Sequence, residues 1–460
     1  MTKILLRPLA AAAVLAVLSG CASVTPDGGF GQVAATTKAR IGHEPRIVRT
    51  DDDKRDIANT VQSILRQPLG ANDAVRIALL NNPGLQTTYW EVGIAQADLA
   101  QASRLPNPSL DFKRTRAGGD IEIERTFTVN LIGALTLPLA SRLESRRYEQ
   151  VRLLVGAAIE RQAAETRRAW YEAVAAQQGV AYARQVNKAA EASAELSARM
   201  AQAGNASQLD LAREQAFQAE AAAAVVRAER QALGARERLT RLLGLWGENA
   251  SYALPDRLPD LPAAPAELND IERMAISQRL DIQAARAEAQ ATASALGLTK
   301  TTRFINVLDL GYVRNTGSDL PTSRGYEISL ELPLFDWGGA RVARAEAIYM
   351  QSVNRVAEAA VNARSEAREA YLGYRSSYDL ARHYRDDVIP LRKKISGEVL
   401  LRYNGMLAST FELLADAREQ AGAVNAYIDA LKDFWVAHAT LEASLGAQVG
   451  NHDMNKEHKQ

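Results

Sequence analysis

Residues 330–334 read Leu-Glu-Leu-Pro-Leu, and residues 135–139 read Leu-Thr-Leu-Pro-Leu. Apolar and polar side chains alternate before each of these stretches, and a long segment rich in Ala, Glu, Arg and Gln follows each of them. Alternation with a period of two predicts a β-strand, and the alanine-rich composition predicts a helix. We therefore predict two strand-to-helix junctions, with Pro138 at the first and Pro333 at the second.

The sequence around these junctions occurs twice, which indicates an internal tandem duplication. Residues 69–86 resemble residues 268–283, and the two copies are separated by a stretch with four prolines that cannot be the interior of a helix. We predict these segments: a signal peptide at 1–20, a lipidated and extended N-terminal tail at 21–66, a first structural repeat at 67–253, a Pro-rich linker at 254–266, a second structural repeat at 267–446 and a polar C-terminal tail at 447–460. Each repeat is expected to hold a helix, a β-hairpin and a long helix pair.

Each predicted hairpin has one apolar and one polar face. In the first copy the odd positions 121–131 are apolar except for Arg125, and in the second copy the even positions 328–332 are apolar. Partner strands are expected at 109–116 and 304–313, with turns at 117–120 and 315–319. Four strands cannot close a barrel, because the smallest single-chain barrels have about 8. Either the hairpins are half-buried in a soluble protein, or several chains share one transmembrane barrel.

The segment after the second junction carries a coiled-coil pattern. Two interleaved heptad series run through it, and they include Ala363, Ala367, Ala370, Tyr374 and Ala381. A helix over residues 341–402 would be on the order of 90 Å long at 1.5 Å per residue, and Pro390 is expected to bend it or loosen one turn. Gly204 and Gly405 interrupt the long helices of the two copies, and we predict that they form tight helix-turn tips.

The first residues predict export and membrane attachment. A basic start is followed by an apolar run that is too short to span a bilayer and by Leu-Ser-Gly at 18–20. Residues 18–21 resemble a bacterial lipobox, which implies that Cys21, the only cysteine, becomes an acylated first residue carrying chains such as palmitate. Ala22, rather than Asp, then favours sorting to the outer membrane.

Composition excludes several classes of function. A formal net charge of +1 gives no electrostatic basis for nucleic-acid binding. No P-loop, G-x-S-x-G or H-E-x-x-H motif is present, and the five histidines are scattered. We therefore predict no enzyme, no catalytic residue, no cofactor and no metal site. After the signal no apolar run reaches the length of a transmembrane helix.

Three phrases give the mature chain a family resemblance. Residues 104–110 read Arg-Leu-Pro-Asn-Pro-Ser-Leu, residues 332–339 read Leu-Pro-Leu-Phe-Asp-Trp-Gly-Gly, and residues 402–405 with 412–418 resemble a helix-turn-helix tip. In this order and spacing, they resemble the TolC-like outer-membrane factors of bacterial efflux and type I secretion, over about residues 69–446.

The resemblance implies a mainly α fold with a small β part. Three chains would form one transmembrane β-barrel, with four strands per chain, and a long α-helical coiled-coil barrel that extends into the periplasm. The homotrimer would be a passive exit duct working with a periplasmic adaptor (membrane fusion) protein and an inner-membrane pump of the RND or ABC type. Asp416 matches a ring of aspartates that narrows the tip in this family, and Tyr403 matches a tip tyrosine.

Two alternatives remain open. The chain could be a coiled-coil lipoprotein tether without a pore, or its cargo could be heavy metal, copper in particular, rather than drugs or secreted proteins. The sequence does not select the cargo, because the pump chooses it.

Overall fold

The computed structural model describes residues 24–305, 307–318 and 321–449. The predicted signal peptide, Cys21 and most of the C-terminal tail lie outside these ranges. The helices are α1 (Phe30–Ile41), α2 (Asp51–Leu65), α3 (Ala71–Asn81), α4 (Pro83–Ala102), α5 (Leu131–Gln202), α6 (Gln208–Leu243), α7 (Ile271–Gln278), α8 (Leu280–Thr302), α9 (Gly339–His383), α10 (Ile389–Asn404) and α11 (Thr410–Leu445). A 3₁₀ turn (Gly247–Ala250) follows α6, and a π-helical turn (Tyr384–Val388) joins α9 to α10.

The chain forms two compact units. The first comprises residues up to Val33, Tyr89–Val155 and Leu280–Val361, and it contains the β-sheet. The second comprises Ala34–Thr88, Gly156–Arg279 and the residues from Asn362 onwards. Its core is made by aliphatic side chains with almost no exposure, among them Val75, Ile77, Leu79, Leu239, Leu243, Leu441 and Leu445.

The sheet has four antiparallel strands in sequence order: β1 (Ser109–Ala117), β2 (Asp120–Asn130), β3 (Leu308–Gly317) and β4 (Ser323–Leu330). The four predicted strands are confirmed. The two-residue turn after Ala117 contains Gly118, whose φ of +62° suits the tight hairpin turns that match strand twist. The expected start of β3 at Phe304 is wrong, because α8 continues to Thr302 and the first strand residue is Leu308.

The first strand-to-helix junction does not lie at Pro138. Strand β2 ends at Asn130, and α5 starts directly at Leu131 with Pro138 inside the helix. The Asn130 side chain accepts a hydrogen bond from the backbone N–H of Gly133, which is how an N-cap residue starts a helix. In the second copy Pro333 lies in the irregular segment between β4 and α9.

The N-terminal tail is folded, so the expectation of an extended tail is wrong. Helix α2 begins with a capping box in which Thr50 and Asp53 satisfy each other's backbone N–H groups. Phe30 of α1 is buried, and its ring centroid lies 4.7 Å from that of Tyr89. Apolar anchors at helical spacing, Ile57 and Val61, bury the inner side of α2.

The linker of residues 254–266 contains no helix, as its prolines predict. It nevertheless packs within the second unit, because aromatic side chains of the long helices donate hydrogen bonds to its carbonyl groups. Trp435 Nε1 donates to Pro259 O at 3.0 Å, and the Tyr378 hydroxyl donates to Ala263 O at 2.8 Å. These hydrogen bonds fix the linker to the long helices.

The predicted long helix of the second repeat is present but not uniform. Its predicted seam residues from Ala363 to Ala381 are buried. The π-helical turn ends at Val388, two residues before Pro390, which lies in the first turn of α10. A proline inside a helix lacks one backbone donor, so a wider turn before it accommodates the missing hydrogen bond.

Candidate functional site

The strand register gives the sheet one apolar face and one polar face. Leu110, Phe127, Tyr312 and Tyr326 form one row across all four strands, since each is the register partner of the next. Val129, Leu310 and Ile328 form the neighbouring row towards the helices. We call this side of the sheet, with strand positions of the same parity, the apolar face. The predicted alternation is therefore confirmed.

The apolar face is exposed in the single chain. Leu110 is 73% exposed, Ile328 62% and Tyr326 80%. Soluble monomers rarely expose contiguous apolar patches of this kind, which mark contact with a membrane or another protein.

The charged side chains of the opposite side, which we call the polar face, are mostly acidic. Its acids are Asp111, Asp120, Glu122, Glu124, Asp309 and Glu327, and Lys113 is its one basic residue among the described strand positions. Lys113 is the register partner of Glu124. A surface built in this way attracts cations.

Strands β1 and β4 are the two edges of the sheet. Each pairs with one neighbour only, so each presents a row of backbone N–H and C=O groups on its other side. Long unpaired edges favour pairing with another chain, and closure into a barrel removes them.

Aromatic side chains follow the sheet where β4 leaves it. Phe335 is fully exposed, and Trp337 contacts Phe304 with ring centroids 6.4 Å apart. The Arg303 guanidinium lies 4.0 Å from the Phe304 ring centroid. Aromatic and cationic groups of this kind concentrate at the boundary between membrane and water.

The second unit contains the turn ends of two helical hairpins, α5–α6 and α10–α11, whose turns close in the same way. Asn205 N donates to Met200 O at 2.8 Å, and Leu407 N donates to Arg402 O at 2.8 Å. Ser207 and Ser409 then cap α6 and α11, each of which has 36 residues. The two hairpin ends therefore share the same turn hydrogen bond and the same serine N-cap.

Gly405 lies in the turn of the second hairpin, but its backbone conformation differs from that of Gly204 in the first. Gly204 has a φ of +76°, but Gly405 has a φ of −82°, and the left-handed position of the second turn is taken by Met406 with a φ of +60°. The matching turn position of Gly204 is therefore Met406. The backbone conformation at position 405 does not require a glycine.

We expect Met406→Gly to stabilise the second hairpin end by about 1 kcal/mol, because a side chain in the left-handed region costs about 1–2 kcal/mol. Gly204→Ala is the matched control and should destabilise the first hairpin end by a similar amount. Hydrogen exchange of the turn amides in each variant measures both effects. A loss of protection in Met406→Gly would contradict the assignment.

Each hairpin carries an acid at the same distance after its capping serine, Glu214 in α6 and Asp416 in α11. Ser193 Oγ of α5 donates to Glu214 Oε2 at 2.5 Å, and Ser396 Oγ of α10 donates to Asp416. The predicted gate residue Asp416 thus lies in the second turn of α11 and is half-buried. Tyr403 lies in the last turn of α10, also half-buried, and no hydrogen bond joins it to Asp416 in the described part of the chain.

Glu214 has a second partner that sequence reasoning missed. Its carboxylate forms an ion pair with Arg418 of α11, and the Arg418 guanidinium lies 4.3 Å from the Phe217 ring centroid. The Glu214 side chain is only 3% exposed. The equal spacing of Glu214 and Asp416 from Ser207 and Ser409 marks the two acids in the sequence, but it does not identify Arg418 as a partner.

The described residues show no group of three or more His, Cys, Asp or Glu side chains placed to hold a metal ion. His438 lies among Tyr374, Phe434 and Trp435, and burial lowers its pKa. Within the same residues, no helix combines the length and apolar character needed to cross a membrane.

No protein-family model and no curated protein matches the sequence. Solved structures do match. A membrane protein from Pseudomonas aeruginosa is 22% identical with a TM-score of 0.69, over 82% of this chain and 93% of that one. The outer membrane protein VceC from Vibrio cholerae is 15% identical with a TM-score of 0.69, over 82% and 96%. The open state of the MtrE outer membrane channel from Neisseria gonorrhoeae is 19% identical with a TM-score of 0.68, over 82% and 88%.

The chain has the fold of TolC-like outer-membrane factors. The resemblance drawn from the three sequence phrases is confirmed at the level of the fold, and the match spans most of each neighbour. The four-stranded sheet and the two long helical hairpins described above are parts of this TolC-like fold. The roles of Cys21, Asp416, Tyr403, Gly204, Gly405 and Pro333 stay predictions.

Proposed function

We propose that this protein is the outer-membrane channel of a tripartite efflux or type I secretion system. Three chains close one β-barrel through their sheets, and their helical hairpins continue the duct into the periplasm. The channel is passive, and its cargo is delivered by an inner-membrane pump through a periplasmic adaptor.

One observation carries the proposal: a four-stranded sheet with an exposed apolar face, an acidic polar face and two unpaired edges. Lipid satisfies the apolar face, and water in a lumen satisfies the polar face. Four strands are too few to close, so the edges β1 and β4 pair with neighbouring copies. The fold neighbours support this, since VceC and MtrE are outer-membrane proteins.

The proposal includes an acyl anchor on Cys21, as an auxiliary fastening beside the barrel. The residues that follow the anchor belong to the same compact unit as the sheet. The Tyr148 hydroxyl donates to Gly29 O at 3.4 Å, and Gln96 Nε2 donates to Thr25 Oγ1 at 2.8 Å. These contacts support an anchor held beside the membrane-facing unit.

We expect Cys21→Ser to leave part of the protein as membrane-inserted trimer, because the sheets contribute membrane contacts of their own. Fractionation followed by native electrophoresis measures this, with export verified by recovery of the variant outside the cytoplasmic fraction. A fully soluble product would contradict the auxiliary role and favour the tether.

The proposal places the gate at the ends of the two hairpins. Asp416 and its copies in the neighbouring chains form an acidic constriction, and Tyr403 supports it. The contact with Ser396 supports this by fixing the Asp416 side chain, while the second oxygen of the carboxylate stays able to accept from water or a cation.

Single-channel recording of the purified trimer in a planar phosphatidylcholine bilayer tests the proposed function. We expect discrete current steps. In a KCl gradient the reversal potential should have the sign of a cation-selective channel, because the charged side chains of the polar face are mostly acidic. Asp416→Ala with Tyr403→Phe should enlarge the step by loosening the tip. Absence of any step would favour the lipoprotein tether, and an unchanged step in the double variant would remove Asp416 and Tyr403 from the gate alone.

A further inference from the structure

The apolar face carries five arginines and, among its described strand positions, no acid. The arginines are Arg114, Arg116, Arg125, Arg314 and Arg324, and all of them are exposed. We call this set the arginine patch. The acids of the sheet lie on the polar face, so the two faces differ in charge as well as in hydropathy.

The arginine patch lies at the hairpin-turn end of the sheet. Phe112, Arg125, Arg314 and Arg324 form one register row, directly beyond the row that contains Tyr312 and Tyr326. The rows of the apolar face that lie closer to the helices contain only aliphatic and aromatic side chains, and no arginine. The arginines are therefore segregated to one end of the face.

Three arginines in one row repel each other. Arg125 is the register partner of Arg314, and Arg314 is the register partner of Arg324. Like charges directly opposite each other destabilise a sheet. No ion pair compensates them within the described residues. The one favourable contact of the row is that of the Arg125 guanidinium with the Phe112 ring, 5.7 Å from its centroid. An external anion would offset the repulsion.

The height of the row along the strands identifies where that anion lies. From Arg324 to Leu330, the last residue of β4, the apolar face runs for six residue steps, which at about 3.4 Å each is roughly 20 Å along the strand. The exposed Phe335 and Trp337 follow beyond the end of the strand. The arginine row therefore lies at the end of the sheet farthest from these aromatic side chains, which is the end that an inserted sheet presents to the headgroups of the far leaflet.

We propose that the arginine patch binds the phosphate-bearing headgroups of lipids in the outer leaflet. This proposal rests on the proposed membrane insertion of the sheet. The guanidinium group suits it, because its planar donors bind phosphate oxygens in pairs. An anionic headgroup bridging neighbouring strands, and neighbouring chains, would neutralise a row that has no ion pair among the described residues.

The test is lipid binding by the full-length trimer in non-ionic detergent micelles. Lipid A, whose headgroup carries two phosphates, is titrated against the wild type and against Arg125→Gln/Arg314→Gln/Arg324→Gln, with phosphatidylcholine as the zwitterionic control. Lys113→Gln removes one charge from the polar face and is the matched control. The wild type and Lys113→Gln should prefer lipid A, and the triple variant should bind it on the order of 100-fold more weakly, since each basic residue near an anionic surface contributes about 1 kcal/mol.

Equal affinity of the triple variant and the wild type for lipid A would overturn the proposal. Displacement of lipid A by an equal concentration of inorganic phosphate would also overturn it, because the site would then be one for the free anion. If the triple variant fails to form trimers, Arg324→Gln on the edge strand decides, with an expected loss of about fivefold. Recording in a phosphatidylcholine bilayer separates the two proposals: a wild type without any pore would refute the channel, while a triple variant with normal pores leaves the channel intact whichever way lipid binding turns out.

Discussion

Arg418→Ala is expected to destabilise the contact between α6 and α11 by about 3 kcal/mol. The substitution leaves the Glu214 carboxylate buried with Ser193 as its remaining partner. Removing one member of a buried ion pair costs about 3–5 kcal/mol, and we take the lower end because Arg418 is 32% exposed. Hydrogen exchange of α6 and α11 in the purified protein measures the loss.

A matched control and a rescue separate the ion pair from a general effect of losing an arginine. Arg213 lies in α6 next to Glu214, its side chain is 65% exposed, and its Nη1 lies 3.6 Å from Oδ1 of Asp210. Arg213→Ala should therefore change stability by less than about 0.5 kcal/mol. Arg418→Ala with Glu214→Gln should recover part of the loss, because a neutral amide is less costly to bury than an unpaired carboxylate. Equal protection in Arg418→Ala and Arg213→Ala would contradict the role of this pair.

Ile328→Arg is expected to abolish membrane insertion, whereas Ser329→Arg at the next position is expected to preserve it. Ile328 lies on the apolar face in the row of Val129 and Leu310, and Ser329 lies on the polar face. An arginine on the lipid side near mid-membrane costs about 2–4 kcal/mol, and a trimer carries it three times. An arginine on the polar face would lie in water.

Fractionation and native electrophoresis of the two variants measure this difference. The prediction depends on which face meets lipid and not on whether the sheet folds, because both residues lie on the same edge strand and are exposed in the single chain. Equal insertion of the two variants, or loss confined to Ser329→Arg, would contradict the assignment of the faces.

The sheet could be predicted well from the sequence because apolar and polar side chains alternate along each strand, and this pattern can be read from a few consecutive residues. Apart from Arg125 and Arg324, the odd positions of β2 and the even positions of β4 are apolar, and burial on one side of a strand requires that period. The strand limits were harder to predict. At the end of β2, Asn130 caps α5, and a single N-cap residue is a weaker signal than the conspicuous Pro138.

The error in the N-terminal tail has its origin in tertiary contacts. The tail has polar composition, yet Phe30, Ile57 and Val61 bury enough apolar surface to fix α1 and α2. The contact of Glu214 with Arg418 was also missed, because it joins two helices that are about 200 residues apart in the sequence.

Disulfide crosslinking between the sheet edges tests the central claim most directly. One cysteine is placed on β1, at Leu110 or Phe112, and one on β4, at Tyr326 or Ile328. The two edges of one sheet are separated by two strands, about 14 Å at 4.8 Å per step, which is too far for a disulfide within the chain. If three chains share one barrel, oxidation of the pair in the correct register gives a covalent trimer and no larger product. Monomers in every register, or an open ladder of longer multimers, would contradict the trimeric duct.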